Sequence, residues 1–213
     1  MDLRAALARM AAILVWIGGL AALSATLWLC VATPALVLLA RRHRYSGSWW
    51  ALYVLGLHAA LAPIYRGLRA SAGPGNVPSR LLALIYQVLT VAVGAEIPLG
   101  VTIGDGLLLG HTAGVVMNGL AVLGEDCTVG PGVVLGSDGR GRVPAIGRNV
   151  YIGANAVIAG SAIIGDHATI GAGATVVDKQ IPACALVVGN PGTVVKENYR
   201  RSYHNHAKED GCE

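Results

Sequence analysis

Charge is scarce in this chain, and over one stretch it is missing. Charged residues make up 13% of the 213 residues, and 11–40 holds none. Phenylalanine is absent and aromatics total 5%, so any core must be built from aliphatic side chains. The four cysteines (Cys30, Cys127, Cys184, Cys212) show no paired spacing. That argues against a disulfide framework and reads as reduced thiols. None has a matched histidine partner, which argues against a covalent thiol intermediate. Between 95 and 195 there are two histidines, His111 and His167, too few for a three-histidine metal site. No metal is expected. The His204-x-His206 tail with Cys212 reads as a disordered polar tail rather than a metal site.

What is present is a repeat. An aliphatic residue recurs every six positions: Ile97, Ile103, Leu109, Val115, then Leu123, Val129, Leu135, then Ile146, Ile152, Ile158, Ile164, Ile170, Val176. Glycine often follows it directly, as at Gly104, Gly130, Gly153 and Gly171. Three positions after it come residues that tolerate positive φ, such as Gly106, Asp126, Asn149, Asn155 and Gly173, as a sharp corner needs. One further on sit Ala156, Ala162, Ala168 and Ala174, small enough for a crowded turn. Repeats this short cannot bury an apolar face singly, so they stack. The pattern predicts a mainly β fold, a left-handed parallel β-helix over 95–195, with about four coils of three hexapeptides each. Two interruptions break the register. Two residues are added between Val115 and Leu123, and a loop carrying Ser137, Asp138, Gly139, Arg140, Gly141 and Arg142 separates Leu135 from Ile146. An insertion into a rigid coil must project, which is a common way to build a site.

The N-terminal part differs. The uncharged run 11–40 exceeds the roughly 20 residues that span a bilayer. It reads as one transmembrane helix, or as a re-entrant hairpin breaking at Gly18-Gly19, within a membrane anchor over 1–70. Arg41, Arg42, His43 and Arg44 follow the run, and the positive-inside rule puts the C-terminal side in the cytoplasm. A shorter apolar stretch, 49–64, with Trp49, Trp50 and Tyr53, reads as an in-plane interfacial helix. The net charge of +4 is attributed to this juxtamembrane cluster, so lipid headgroups explain it better than nucleic acid. The expected location is the cytoplasmic (inner) membrane, with the coils facing the cytoplasm. A linker rich in turn formers and an amphipathic helix fill 71–94, and 196–213 is a polar tail.

Chemistry centres on His111, in Gly110-His111-Thr112-Ala113-Gly114, with Glu96 fifteen residues earlier. Coils of eighteen residues put the two on neighbouring coils near one corner. A carboxylate beside an imidazole fixes its tautomer and raises its basicity, as a general base needs. The plainer alternative is a solvated turn histidine, and His167, at a corner position, is read that way.

These residues carry a family resemblance. The stretch 96–196 resembles the serine acetyltransferase branch of the hexapeptide acyltransferases. The family motif Asp-His-Ala-Thr-Gly stands here as Gly110-His111-Thr112-Ala113-Gly114, and Glu96 matches the family's carboxylate without a gap. The resemblance implies His111 as base, Glu96 as its partner and acetyl-CoA as acyl donor. It implies a homotrimer with the pantetheine arm between coils of two subunits, against Gly153, Ala154, Gly171 and Ala172. It places donor-binding residues at Asn190, Pro191 and Lys196, with Lys179 also near the phosphates, and acceptor contacts at Arg142 and Asn118. Two positions depart. The loop histidine of the family's Arg-His-Pro is Val143, and the aspartate before the base is Gly110. Losing a charged hydrogen-bond partner costs about 1.5–3 kcal/mol, which disfavours zwitterionic serine as acceptor. The expected activity is therefore acetyl transfer to a saccharide hydroxyl in cell-surface or exopolysaccharide synthesis. Serine acetylation for cysteine synthesis is the alternative, and a non-catalytic membrane scaffold the third.

Overall fold

The computed structural model describes residues 49–73, 76–92, 94–201 and 212. Two helices lead into a stack of short strands. Helix α1 covers Trp49–Ala72 and α2 covers Val77–Val91. Asn76 joins them. Its side chain accepts from Ser79 N (2.9 Å), capping α2, while its amide donates to Leu68 O (2.9 Å) and Gly73 O (2.6 Å) at the end of α1. One residue thus satisfies orphan backbone groups at both helix ends.

The coils then wind through three parallel faces. Face A stacks β1 (Ala95–Glu96), β4 (Val115–Met117), β7 (Val134–Gly136), β10 (Val157–Ala159) and β13 (Thr175–Val177). Face B stacks β2 (Thr102–Ile103), β5 (Val122–Leu123), β8 (Ala145–Ile146), β11 (Ile163–Ile164) and β14 (Gln180–Ile181). Face C stacks β3 (Leu108–Leu109), β6 (Thr128–Val129), β9 (Tyr151–Ile152), β12 (Thr169–Ile170) and β15 (Leu186–Val188). It ends in an antiparallel strand, β16 (Thr193–Lys196). Each face sends one aliphatic column inward. On face C it is Leu109, Val129, Ile152, Ile170 and Val187, none more than 1% exposed. The corner alanines Ala156, Ala162, Ala168 and Ala174 are fully buried. The mainly β, parallel β-helical reading therefore stands.

Register locates both interruptions. Val157 pairs with Thr175, one eighteen-residue coil on. Val122 pairs with Ala145 and Thr128 with Tyr151, 23 residues on, because 137–143 loops out of the coil between them. Ala95 pairs with Val115 and Leu108 with Thr128, twenty residues on, whereas Val116 pairs with Val134, eighteen on. The two extra residues therefore fall between Leu109 and Val115, not after Val115 as the six-residue count suggested. Met117, paired with Leu135 and 2% exposed, takes the inward position on face A. Val115 is also buried, and it belongs to the enlarged corner.

The helix layer corrects the N-terminal expectations. Val54 and Leu55 of α1 are buried in the same core cluster as Ala95, Ile97 and Val101. Leu57 and Ala62 of α1, Tyr86 of α2 and Leu99 form a second cluster beside it. The buried side of α1 from Val54 to Ala62 thus roofs the open end of the first coil, and for that part of 49–64 the expected interfacial, in-plane role is withdrawn. An end rung exposes apolar edges, and covering them is what an amphipathic helix in this place does. Among the described residues no helix is long and apolar enough to cross a membrane. The expected span, 11–40, lies outside the described residues.

The C-terminal end brings a second correction. After β16 the chain returns along the B–C corner, where Tyr199 N donates to Cys184 O (2.7 Å). Arg201 donates to Asn149 Oδ1 (3.0 Å) and stacks over the Tyr151 ring at 5.7 Å. Cys212 is disulfide-bonded to Cys184, so these two are not the reduced thiols that spacing suggested. Residues 202–211 lie outside the described residues.

Candidate active site

His111 stands in the corner between faces C and A, and that corner is the one enlarged by two residues. The turn is anchored on both sides. Gly114 N donates to Gly94 O below (2.8 Å), and Gly132 N donates to Ala113 O from above (2.9 Å). Thr112 is buried, while His111 is exposed. The extra length holds the imidazole off the stack rather than folding it into the corner.

Glu96 ends β1 on face A with Val116 as its rung neighbour, so its half-buried side chain points outward. Its Oε1 accepts from Gln87 Nε2 of α2 at 3.2 Å. Among the described residues no hydrogen bond or ion pair joins Glu96 to His111. The stacking explains this: Glu96 lies level with Val116, five residues past the imidazole and around the corner. Two clefts flank the helix layer. One, of about 260 Å3, is lined by Arg69, Gln87 and Leu120 among others, and the other, of about 350 Å3, by His58, Arg66 and Asp105 among others. Neither is lined by His111 or Glu96.

Arg142 projects in the 137–143 loop, and Asp138 organises that loop. Asp138 Oδ1 accepts from the backbone N–H of Arg140 (2.9 Å) and Arg142 (3.1 Å), and Oδ2 accepts from Arg142 Nε at 2.6 Å. The Arg142 hydrogen bond holds the Asp138 carboxyl below the usual range, and Asp138 in turn raises Arg142. Arg142 also lies 3.5 Å from Asp178, so two carboxylates already engage it. Asn118 closes a local turn, its Oδ1 accepting from Leu120 N at 3.0 Å.

The expected donor-binding residues line the later C–A corners. A Cβ on Gly153 would stand 2.6 Å from Ala172 N, and one on Gly171 would stand 3.1 Å from Val187 O. Stacking alone therefore demands glycine at Gly153. Ala172 is exposed and Ala154 half-buried beside it. Asn190 and Pro191 occupy an exposed turn before β16. Lys196 is exposed, with its ammonium 5.8 Å from the centre of the Tyr199 ring. Lys179 donates to Gly192 O at 2.7 Å. His167 is a corner residue at φ +63°, its Nδ1 3.0 Å from Asn149 Nδ2. Buried Cys127 donates to Gly147 O (3.1 Å), and desolvation pushes its thiol up to about 11, which suits a core residue and not a nucleophile.

Sequence reasoning missed Gln87, Asp138 as loop organiser, and the Arg201 contacts. Gln87 and Glu96 are joined across a helix-to-coil junction that no periodicity reports. The Asp138–Arg142 pair, four apart in a glycine-rich loop, was visible as a spacing.

The model of the bacterial transferase hexapeptide (six repeats) matches 144–178, and that of the hexapeptide repeat of succinyl-transferase matches 100–137. A serine acetyltransferase of Staphylococcus epidermidis is 34% identical over 153 residues, covering 70% of this chain and 71% of the relative. One from Staphylococcus xylosus is 39% identical over 57% of each chain. Among solved structures, a Neisseria gonorrhoeae serine acetyltransferase superposes with TM-score 0.61 at 32% identity, covering 71% of this chain and 56% of that one. A serine acetyltransferase in complex with CoA gives 0.60 at 26% identity, covering 70% and 58%. The chain thus spans little more than half the length of these solved relatives. These matches, together with a helix layer packed on the coils, overturn the placement at the cytoplasmic membrane, which is withdrawn. The chain belongs to the hexapeptide-repeat acyltransferases, in their serine acetyltransferase branch.

Proposed function

We propose that the chain transfers acetyl from acetyl-CoA to the hydroxyl of a small acceptor, with L-serine as that acceptor. The carrying observation is the enlarged C–A corner, which leaves His111 exposed between β3 and β4, with Glu96 and its rung neighbour Val116 around that corner on face A. The relatives' names supply the acceptor. His111 takes the proton from the acceptor hydroxyl, and the oxygen attacks the thioester carbonyl. The C–S bond breaks, and the CoA sulfur recovers the proton from the imidazolium. Backbone N–H groups at the coil corners stabilise the oxyanion. Gly153, Ala154, Gly171 and Ala172 would flank the pantetheine arm, with Asn190, Pro191 and Lys196 towards its phosphate end. We place the site at the seam of a homotrimer, which explains why neither cleft of the single chain holds His111.

A saccharide hydroxyl is the second reading. Gly110 and Val143 remove two charged partners of a zwitterion, and Arg142 is already engaged by Asp138 and Asp178. Asn118 and Arg142 would then meet neutral hydroxyls.

The test is thiol release from acetyl-CoA with serine and with a panel of saccharides. Wild type is expected to respond to serine, and His111→Ala to lose about 10²–10⁴-fold. Release with a saccharide alone replaces the acceptor. Equal release by wild type and His111→Ala removes the catalytic reading and leaves a scaffold.

A further inference from the structure

We propose that Gln87 is a positioning residue that sets the orientation of the Glu96 carboxylate from helix α2; this rests on the catalytic reading above. Three observations converge on it. First, the exposed face of the C-terminal half of α2 is otherwise apolar, with Leu84, Ile85, Val88 and Val91 each more than half exposed. Among the described residues of this half of the helix, Gln87 is the one whose side chain hydrogen-bonds to another element, since the Thr90 hydroxyl donates back to Gln87 O at 3.1 Å and Tyr86 reaches α1 only through a ring contact with His58. Second, the helix is fixed where Gln87 leaves it. Tyr86 and Thr90, on either side, are each 1% exposed, and the Asn76 cap holds the far end. A donor on a fixed backbone restrains its acceptor more than one on a loop does. Third, Gln87 engages only Oε1 of Glu96. Among the described residues no protein donor reaches Oε2. That leaves one oxygen for an imidazole N–H while the other is held.

Glu96 sits in a two-residue strand directly after the junction from α2, where the backbone by itself leaves a long side chain several rotamers. Gln87 selects among them. Its role is to act through Glu96, without contact with either substrate.

The test compares Gln87→Leu, which keeps the bulk and removes the donor, with Gln87→Lys, which restores a donor. Gln87→Leu is expected to lower kcat about three- to tenfold with the KM for acetyl-CoA unchanged, and Gln87→Lys to recover most of it. In a Glu96→Gln background Gln87→Leu is expected to add nothing. A readout independent of turnover is the NMR signal of the His111 ring in the full chain. It is expected to move with Glu96→Gln and, in the same direction and by less, with Gln87→Leu. A ring signal that follows Glu96→Gln but ignores Gln87→Leu overturns this inference and leaves the catalytic pair standing. A ring signal indifferent to Glu96→Gln removes the pair itself, and the role of Gln87 with it.

Discussion

Asp166 shows how a corner residue couples the stack to pH. Its Oδ1 accepts from Arg148 N on the coil below (2.8 Å), and its Oδ2 lies 3.2 Å from the Arg148 guanidinium. The backbone N–H of Arg148 is the larger cause holding the Asp166 carboxyl below its usual range, with the side chain of Arg148 adding to it. A carboxyl lowered on folding stabilises the fold above its unfolded pKa of about 3.9. That stability is lost as pH falls through the lower folded value. Asp166→Asn keeps an acceptor for Arg148 N and removes the charge. It is expected to unfold at lower denaturant than wild type near neutral pH, the two curves converging by about pH 2. A gap that persists at that pH would mean the effect is packing, not ionisation. Asp138 and Asp178 are also lowered, by Arg142 and by the Ser161 N–H respectively, so the same acid limb belongs to several corners.

At the scale of elements, the coil is held by backbone proximity as much as by side-chain burial. Gly153 and Gly173 separate the two reasons for glycine. Gly153 has ordinary φ, but a Cβ there would meet Ala172 N at 2.6 Å and Ala172 Cα at 2.9 Å, and neither can move without breaking the ladder. Gly173 has φ +68° and open space around it. Gly153→Ala is expected to cost about 1–3 kcal/mol or more from overpacking, and Gly173→Ala about 1 kcal/mol from the left-handed backbone. Urea midpoints rank them, and the reverse order would show that the corner can relax. The same elements show what a sequence discloses. The six-residue rhythm of Leu123, Val129 and Leu135 is set by the columns it fills, so faces and corners were legible. The two-residue enlargement was misplaced because Val115 keeps the count of six from Leu109. Only pairing between coils reveals that Met117 has taken the rung. Helix α1 was misread because an apolar helical face looks alike whether lipid or a coil end covers it. Cys184 and Cys212 lie 28 residues apart, and nothing in their spacing announces a chain that doubles back along the B–C corner. Of the candidate site, the sequence offers His111 and Glu96 as a spacing that no contact between them completes in the single chain, whereas Gln87 depends on how a helix meets a strand.

At the scale of the whole molecule, the outward faces bear on how the site is completed. Val116 and Val122 flank the second A–B corner, 37% and 43% exposed, and Ile163 and Val177 lie further along the prism at 50% and 44%. Small apolar side chains standing outward on flat faces suit burial against another prism of the same kind. Val116 is the rung neighbour of Glu96, so a seam that encloses the candidate pair must also cover Val116. In solution the chain is expected to have three times its single-chain mass by light scattering. Val116→Glu places a charge in that seam while leaving the inward columns untouched. It is expected to dissociate the trimer, keep the β-rich circular dichroism spectrum of wild type, and abolish thiol release from acetyl-CoA. A wild-type monomer that turns over acetyl-CoA would show that His111 and Glu96 work within one prism. A Val116→Glu trimer with normal turnover would move the seam to another face.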